Sequence, residues 1–322
     1  ASAAPSDSLG YNVDLREPES DVGVAVEKCR QLRGVTRDFV HELRVASSEG
    51  RVPLSSAGTL QHLVGRYVHV FLARRELLSV FSFVFSAYKR PHEMVRVSDK
   101  VLAELELAAD VLPMAFMRLS PVADTVTTFD ACMQGYGVAY KLDCPPVVLD
   151  ELVSPREAVG QYTHFSVDGE LIGPSEARIG SRDGASPAHE LLEWLRHDWA
   201  ACGALGWRTA RSGLWHPDSP PAFIADGECR AGVKALERVC KVVANHDRRV
   251  VAVGDNQACL GAFAKGRSSS GVMLRSCRRV AALSLLCGVA VVWVWICSKL
   301  NSADGPSRWP VLRLRALRHG RT

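Results

Sequence analysis

Four acidic residues stand where a folded chain could use them. Asp130 lies inside the strand-like run TTFDACMQGYGVAY, Glu228 at the start of the helix-like ECRAGVKALERVC, Asp255 at the end of the apolar run VVAVGD, and Asp304 in the turn-like NSADGPSR. A charge in mid-strand is disfavoured unless something pairs with it. Open α/β sheets gather functional groups near strand ends and adjoining helix starts. Carboxylates brought within a few ångströms repel one another, so some must protonate unless cations sit between them. Hard divalent ions with oxygen ligands meet that need, and Mg2+ takes only a few carboxylates beside waters and phosphate oxygens. Two such ions about 4 Å apart activate a water and stabilise the leaving oxygen in phosphodiester cleavage. Taken singly, each residue also has a plain structural use. Glu228 complements a helix dipole, Asp255 caps the helix beginning at Asn256, and Asp304 sits in an Asx-type turn.

The second chemical feature follows Asp255. Between residues 264 and 279 the chain carries Lys265, Arg267, Arg275, Arg278 and Arg279 with no acid, and Ser268 to Ser270 stand among them. Such groups suit contacts to a nucleic-acid backbone, which position a strand without reading its sequence; a solvated loop and helix face is the alternative. The histidines, among them His189, His197 and His216, have no ligand-like spacing, and neither a Ser/His/Asp set nor a phosphate-cradling glycine loop is visible. Ten cysteines are scattered through apolar stretches without a CxxC pair. They read as buried free thiols, which favours a reducing intracellular compartment, cytoplasmic or nuclear.

These residues need a scaffold. The composition, 47% apolar and 23% charged over 322 residues, is that of a folded chain. The last fifteen residues hold five arginines and no acid, so removing them takes the net charge from +4 to −1. The basic excess is therefore local. Residues 1 to 21 are polar and expected to be disordered, with no basic start or apolar core of a secretory signal. From 22 to 120 apolar residues recur at helical spacing. Pro121 marks the change to strand texture, with strands expected at 125 to 132 and 136 to 142 as a hairpin. A helix is expected in SPAHELLEWLRHDWAACGAL and a strand in GWRTARSGLWH. Beyond these come a helix containing Glu228, a strand to Asp255, a short helix, a longer helix from Met273 to Cys287, and a strand from 289 to 296. The charge-free run 280 to 297 is at the lower margin of a membrane span, but Gly288 divides it into a helix and a buried strand, so no membrane partner is expected. Strands alternating with helices imply a sheet covered by helices.

The order of motifs TTFDACMQGYGVAY, ECRAGVKAL, VVAVGDNQACLGAFAKGRS and WVWICSKLNSADGPSRW resembles the ribonuclease H domain of retroelement reverse transcriptases. The resemblance covers roughly residues 122 to 310, and GTLQHLVGRYVHVFLARRELLSVFSFVFSAYKR looks like the helical thumb and connection region of such polyproteins. It implies an α/β, ribonuclease H-like mixed sheet flanked by helices, preceded by a mainly helical region. The implied organisation is a thumb/connection-like region at 22 to 120, a ribonuclease H-like domain at 121 to 310 with an insertion at about 143 to 224, and a basic tail at 311 to 322. By the same resemblance Asp130, Glu228, Asp255 and Asp304 hold two Mg2+ ions, with Mn2+ as a substitute, and hydrolyse RNA in RNA/DNA hybrids. Asn256, Lys265, Arg267, Ser268 and Arg308 would meet the nucleic acid.

The 97 residues between Asp130 and Glu228 exceed what a compact domain of this kind needs, which leaves Asp226 and Glu237 as rivals for the glutamate's role. The chain contains no Asp-Asp pair, so polymerase activity is not expected, and the remaining reverse transcriptase domains become candidate partners. Two other classes stay open: an inactive relic that binds nucleic acid without turnover, and a strand-transferring nuclease such as a transposase or integrase, against which the NSADGPSR ending argues.

Overall fold

The helical spacing of the first third is realised as α1 (Val26–Ser48), α2 (Ala57–Phe71), α3 (Phe83–Ser86) and α4 (Asp99–Val111). The computed structural model describes residues 6–8, 11–14, 21–87, 90–118, 120–153, 164–165, 171–172 and 206–319, and divides at Ser120/Pro121 into two units. In the first, α1 buries Leu32, Thr36, Val40 and Leu43, the stripe of an amphipathic helix. Ser56 caps α2 by accepting the N–H of Thr59, and Ser98 caps α4 through Val101. The buried carboxylate of Glu104 accepts the N–H groups of Ser82, Phe83 and Val84, which start α3.

Two features of this unit differ from expectation. The long helical reading of residues 60 to 90 breaks at Arg74 (φ −142°), and a 3-10 stretch, Leu72–Val80, follows α2. A four-stranded antiparallel sheet also forms, in the order β1 (Ser6–Ser8), β2 (Tyr11–Asp14), β3 (Asp21–Val24), β6 (Phe116–Arg118). Residues 6–8 and 11–14 are thus paired where a disordered N-terminus is expected. Runs of three or four residues are too short for period-two alternation to declare itself. A separate hairpin pairs β4 (Leu54–Ser56) with β5 (Met94–Arg96).

The second unit is built on five longer strands in the order β11 (Arg208–Leu214), β8 (Gly135–Lys141), β7 (Val122–Ala131), β12 (Arg249–Gly254), β13 (Ala290–Trp295). Two-residue strands β9 (His164–Phe165) and β10 (Leu171–Ile172) extend the sheet beyond β13. β8 runs antiparallel to both of its neighbours, β7 and β11, whereas β12 runs parallel to both β7 and β13. Helices α5 (Pro146–Val153), α6 (Ile224–Cys240), α7 (Gln257–Lys265), α8 (Gly271–Cys287) and α9 (Asp304–His319) flank it. This is the mixed sheet flanked by helices that the ribonuclease H resemblance implies.

Both faces of the central strands are covered, which is why VVAV reads as a continuous apolar run. Phe129, Val138, Val250 and Ala252 pack with residues of α6, α7 and α8 such as Leu236, Leu260, Phe263 and Val280. On the opposite face Val126, Ala139, Val251, Val253 and Val294 meet Val148, Leu149 and Leu152 of α5. The charge-free run 280 to 297 divides as expected: α8 stops at Cys287 because Gly288 adopts the left-handed conformation (φ 65°), and β13 follows. Among the described residues no helix is long and apolar enough to cross a membrane.

The span expected as an insertion, 143 to 224, contains integral elements. α5 packs into the core and β11 is the sheet's third consecutive antiparallel strand. The helix expected over SPAHELLEWLRHDWAACGAL lies outside the described residues.

Candidate metal centre

Strand register brings the first two carboxylates together. β12 pairs with β7 in parallel with Val253 opposite Thr128, and two residues further on the same face come Asp255 and Asp130. A period of two keeps both side chains on that face. α6 begins at Ile224, so Glu228 stands in its second turn rather than its first, and its Oε1 accepts the N–H of Ala131 at 3.2 Å. One oxygen from each of Asp130, Glu228 and Asp255 lies within 4.8 Å of the others.

Asp304 stands beside this group of three. It is the first residue of α9 rather than part of a turn. Gly305 and Pro306 read as turn punctuation in the sequence, yet proline is at home in the first turn of a helix, where its missing N–H has no helical partner. Its carboxylate pairs with Arg308 one turn on, and its charge bears on both Asp130 and Asp255. Gly137, opposite Asp130 on β8, permits this approach. A Cβ there would lie 2.5 Å from the Ser307 nitrogen and 2.6 Å from the Ala303 oxygen, so only glycine lets α9 start against the sheet.

The electrostatics follow from burial and crowding. Asp130 is pushed up to about 7, first by burial and then by the charges of Asp255 and Asp304, against the hydroxyl of Ser307 and the charge of Arg308. Glu228 is pushed up to about 10 by burial, with Asp130 and Asp255 adding to it. Asp255 is raised by burial and by Asp304, although the Ser298 and Asn301 side chains hydrogen-bond to it. The Oε2 atom of Glu228 is buried with no protein partner. Three hard oxygen donors within 4.8 Å of one another, beside an orphaned buried carboxylate oxygen of Glu228, fit a divalent cation with oxygen preference.

The rivals for Glu228 have other duties. Asp226 is buried, accepts the N–H of Ala222 and pairs with Arg230, while Glu237 pairs with Arg211 and Arg279. Asp255 is spared the capping role because Asn256 takes it, accepting the N–H of Cys259 at 3.0 Å. Asn256, expected to meet nucleic acid, is thus a helix cap, and Arg308 is engaged by Asp304. Lys265 and Arg267 are exposed around the end of α7, and Ser268 accepts the N–H of Ser270.

Sequence reasoning passed over Asn301. Its buried amide donates to the Phe129 carbonyl at 3.0 Å and reaches Asp130 at 3.5 Å, while its Oδ1 accepts the Thr128 hydroxyl and the Ala303 N–H. Its position three residues before Asp304 was the available signal. Ser298 and Ser307 also touch the acidic group without having stood out in the sequence.

No protein-family model and no curated protein matches the chain. Among solved structures, a ribonuclease H1 from the halophilic archaeon Halobacterium salinarum is 17% identical over 59% of this chain and 98% of that one, with a TM-score of 0.27. A foamy viral protease-reverse transcriptase in complex with an RNA/DNA hybrid is 11% identical over 95% of this chain, also with a TM-score of 0.27. The overlap spans about half of that viral protein, 52% of its length.

Proposed function

We propose that the unit Pro121–Thr322 is a divalent-metal-dependent phosphodiester hydrolase of ribonuclease H type, cutting the RNA strand of RNA/DNA hybrids. The observation that carries this reading is the convergence of Asp130, Glu228 and Asp255 within 4.8 Å, in surroundings that oppose their ionisation. Asp130 and Asp255, from adjacent parallel strands, would help to hold two Mg2+ ions, with Mn2+ as a substitute. Glu228 would hold one and Asp304 the other. When bound, the ions supply an activated water and neutralise charge on the cleaved phosphate.

The chain's own groups set the rest. Glu228, anchored through one oxygen to Ala131, keeps its second oxygen available to orient a water. Asn301 and Ser298 fix the Asp255 carboxylate, and the Arg308 guanidinium beside Asp304 offers a cation to a phosphate. Lys265, Arg267, Ser268 and Asn256 would line the path of the strand, as contacts that position it without reading bases. The motif order supports a retroelement origin, with residues 22 to 120 as thumb and connection and further polymerase domains as partners. Described free thiols such as Cys144, Cys229 and Cys259 are in keeping with an intracellular protein.

The test is cleavage of an end-labelled RNA/DNA hybrid, with duplex RNA and duplex DNA as controls, in Mg2+ and in EDTA. Metal-dependent cuts confined to the hybrid's RNA strand, lost in Asp255→Asn with an unchanged circular dichroism spectrum, are expected. Undiminished cutting by that variant removes the reading. Binding without turnover replaces it with that of a nucleic-acid-binding relic.

A further inference from the structure

One flank of α6 carries a group of cations that the metal centre does not use. Lys234 Nζ lies 4.6 Å from the Tyr136 ring centroid, Arg238 lies 5.2 Å from that of Tyr140, and Arg211 of β11 lies 6.0 Å from Tyr136. Tyr136 is backed by Trp215, with ring centroids 4.9 Å apart. Arg279 of α8 joins them through Glu237, which pairs with both Arg211 and Arg279. Glu237 thus pairs with two of these four cations and leaves Lys234 and Arg238 against the rings. A helix face that is merely solvated tends to interleave its signs. The lysine is crowded accordingly: burial lowers its pKa first, and Arg211, Arg279 and Arg230 lower it further.

We propose that Arg211, Lys234, Arg238 and Arg279 form a second nucleic-acid contact, holding the phosphate backbone of a strand beyond the metal centre. The choice of nucleic acid among polyanions rests on the hydrolase reading. Placement favours it: Tyr136 pairs across the hairpin with Ala131, whose N–H holds Glu228, so the cations begin next door to the acidic group. Lys234 and Arg238 are four residues apart, about 6 Å along a helix, comparable with two phosphate steps of about 3.4 Å rise each on a duplex strand. The rings hold the two side chains in place by cation–π contact, which lowers the entropy lost when a phosphate arrives.

The experiment measures binding of a fluorescein-labelled RNA/DNA hybrid in EDTA, across a salt series, by the full chain and two variants. Lys234→Gln/Arg238→Gln is expected to bind about tenfold more weakly, with a log–log salt slope shallower by about 2. Glu237→Gln, which frees two arginines, is expected to bind several-fold more tightly with a steeper slope. Equal affinity and slope in all three proteins overturns the surface. So does competition by polyglutamate as effective as by unlabelled hybrid, which would assign the face to acidic proteins. Unchanged binding by variants of a chain that cleaves hybrid defeats the surface alone. Weakened binding by variants of a chain that never cleaves leaves the surface standing and defeats the hydrolase.

Discussion

Asn301 donates its side-chain amide to the carbonyl oxygen of Phe129 at 3.0 Å, across 172 residues of chain. The bond ties the approach to α9 to the strand residue preceding Asp130, and so sets how far Asp304 stands from the three converging carboxylates. Asn301→Ala leaves the Phe129 carbonyl and the Thr128 hydroxyl without this buried partner, at about 1–3 kcal/mol for each unsatisfied group. Urea unfolding should show that loss, and a Mg2+ titration of stability should show a weaker response. A variant that unfolds earlier but responds to Mg2+ as before would reduce Asn301 to a structural brace.

Gly137→Ala tests the approach of α9 from the other side. A Cβ at 2.5 Å from a backbone nitrogen must displace the helix, so hybrid cleavage should fall at least tenfold. Gly34, within α1, has open space where a methyl group would stand, and Gly34→Ala should stabilise by roughly 0.5–1 kcal/mol with cleavage unchanged. Equal effects of the two alanines on cleavage would disconnect Gly137 from the site.

Glu228→Gln and Asp226→Asn, two residues apart on α6, should behave oppositely. The glutamine removes a buried acid that resists ionisation, so metal-free stability at pH 8 should rise by roughly 1–3 kcal/mol while cleavage disappears. The asparagine strips Arg230 of its buried partner, and breaking such a pair costs about 3–5 kcal/mol. Thermal melts and the hybrid assay, run on both proteins, check the crossing of effects.

The acidic group also predicts how the metal-free chain responds to pH. Asp130 moves from 3.8 to about 7 and Glu228 from 4.5 to about 10 on folding, and Asp255 moves in the same direction. Raised carboxylates contribute stability that is fully present below the unfolded values and is lost as pH rises through the folded ones. In EDTA the melting temperature should therefore fall from pH 5 to pH 9. Mg2+ should flatten that fall, because bound cations take over the role of the protons. An EDTA profile that rises over this range would contradict the crowding of these acids.

Much of the second unit was legible in the letters because its central strands are buried on both faces and its helices announce their ends. Asp255 followed by Asn256, Gly266 after Lys265 and Gly288 after Cys287 mark boundaries that the structure keeps within a residue or two. Asp130 stood out because a charge in the middle of an apolar strand demands an explanation. α6 starts at Ile224, a full turn ahead of Glu228, and its first turn is secured by the Asp226 carboxylate reaching back to the Ala222 N–H. The role of Asn301 was hidden for a different reason. Most of its partners, the Phe129 carbonyl and the Thr128 and Asp130 side chains, belong to a strand far away in sequence, and only its place three residues before Asp304 hinted at them. The first sheet, made of short strands joined across more than 90 residues, left no periodic trace.

The route of the chain between β8 and β11 has a consequence for how such a protein can grow. β8 leaves the sheet at Lys141, and β11 re-enters opposite Tyr140, so the excursion departs from and returns to the end of the hairpin remote from Asp130. Length added between β10 and β11 falls outside α5 and β9, the parts of the excursion that pack on or pair with the strands aligning the acids. The architecture thus offers a permissive slot, in which new sequence can be tried while the register of Asp130 against Asp255 goes undisturbed.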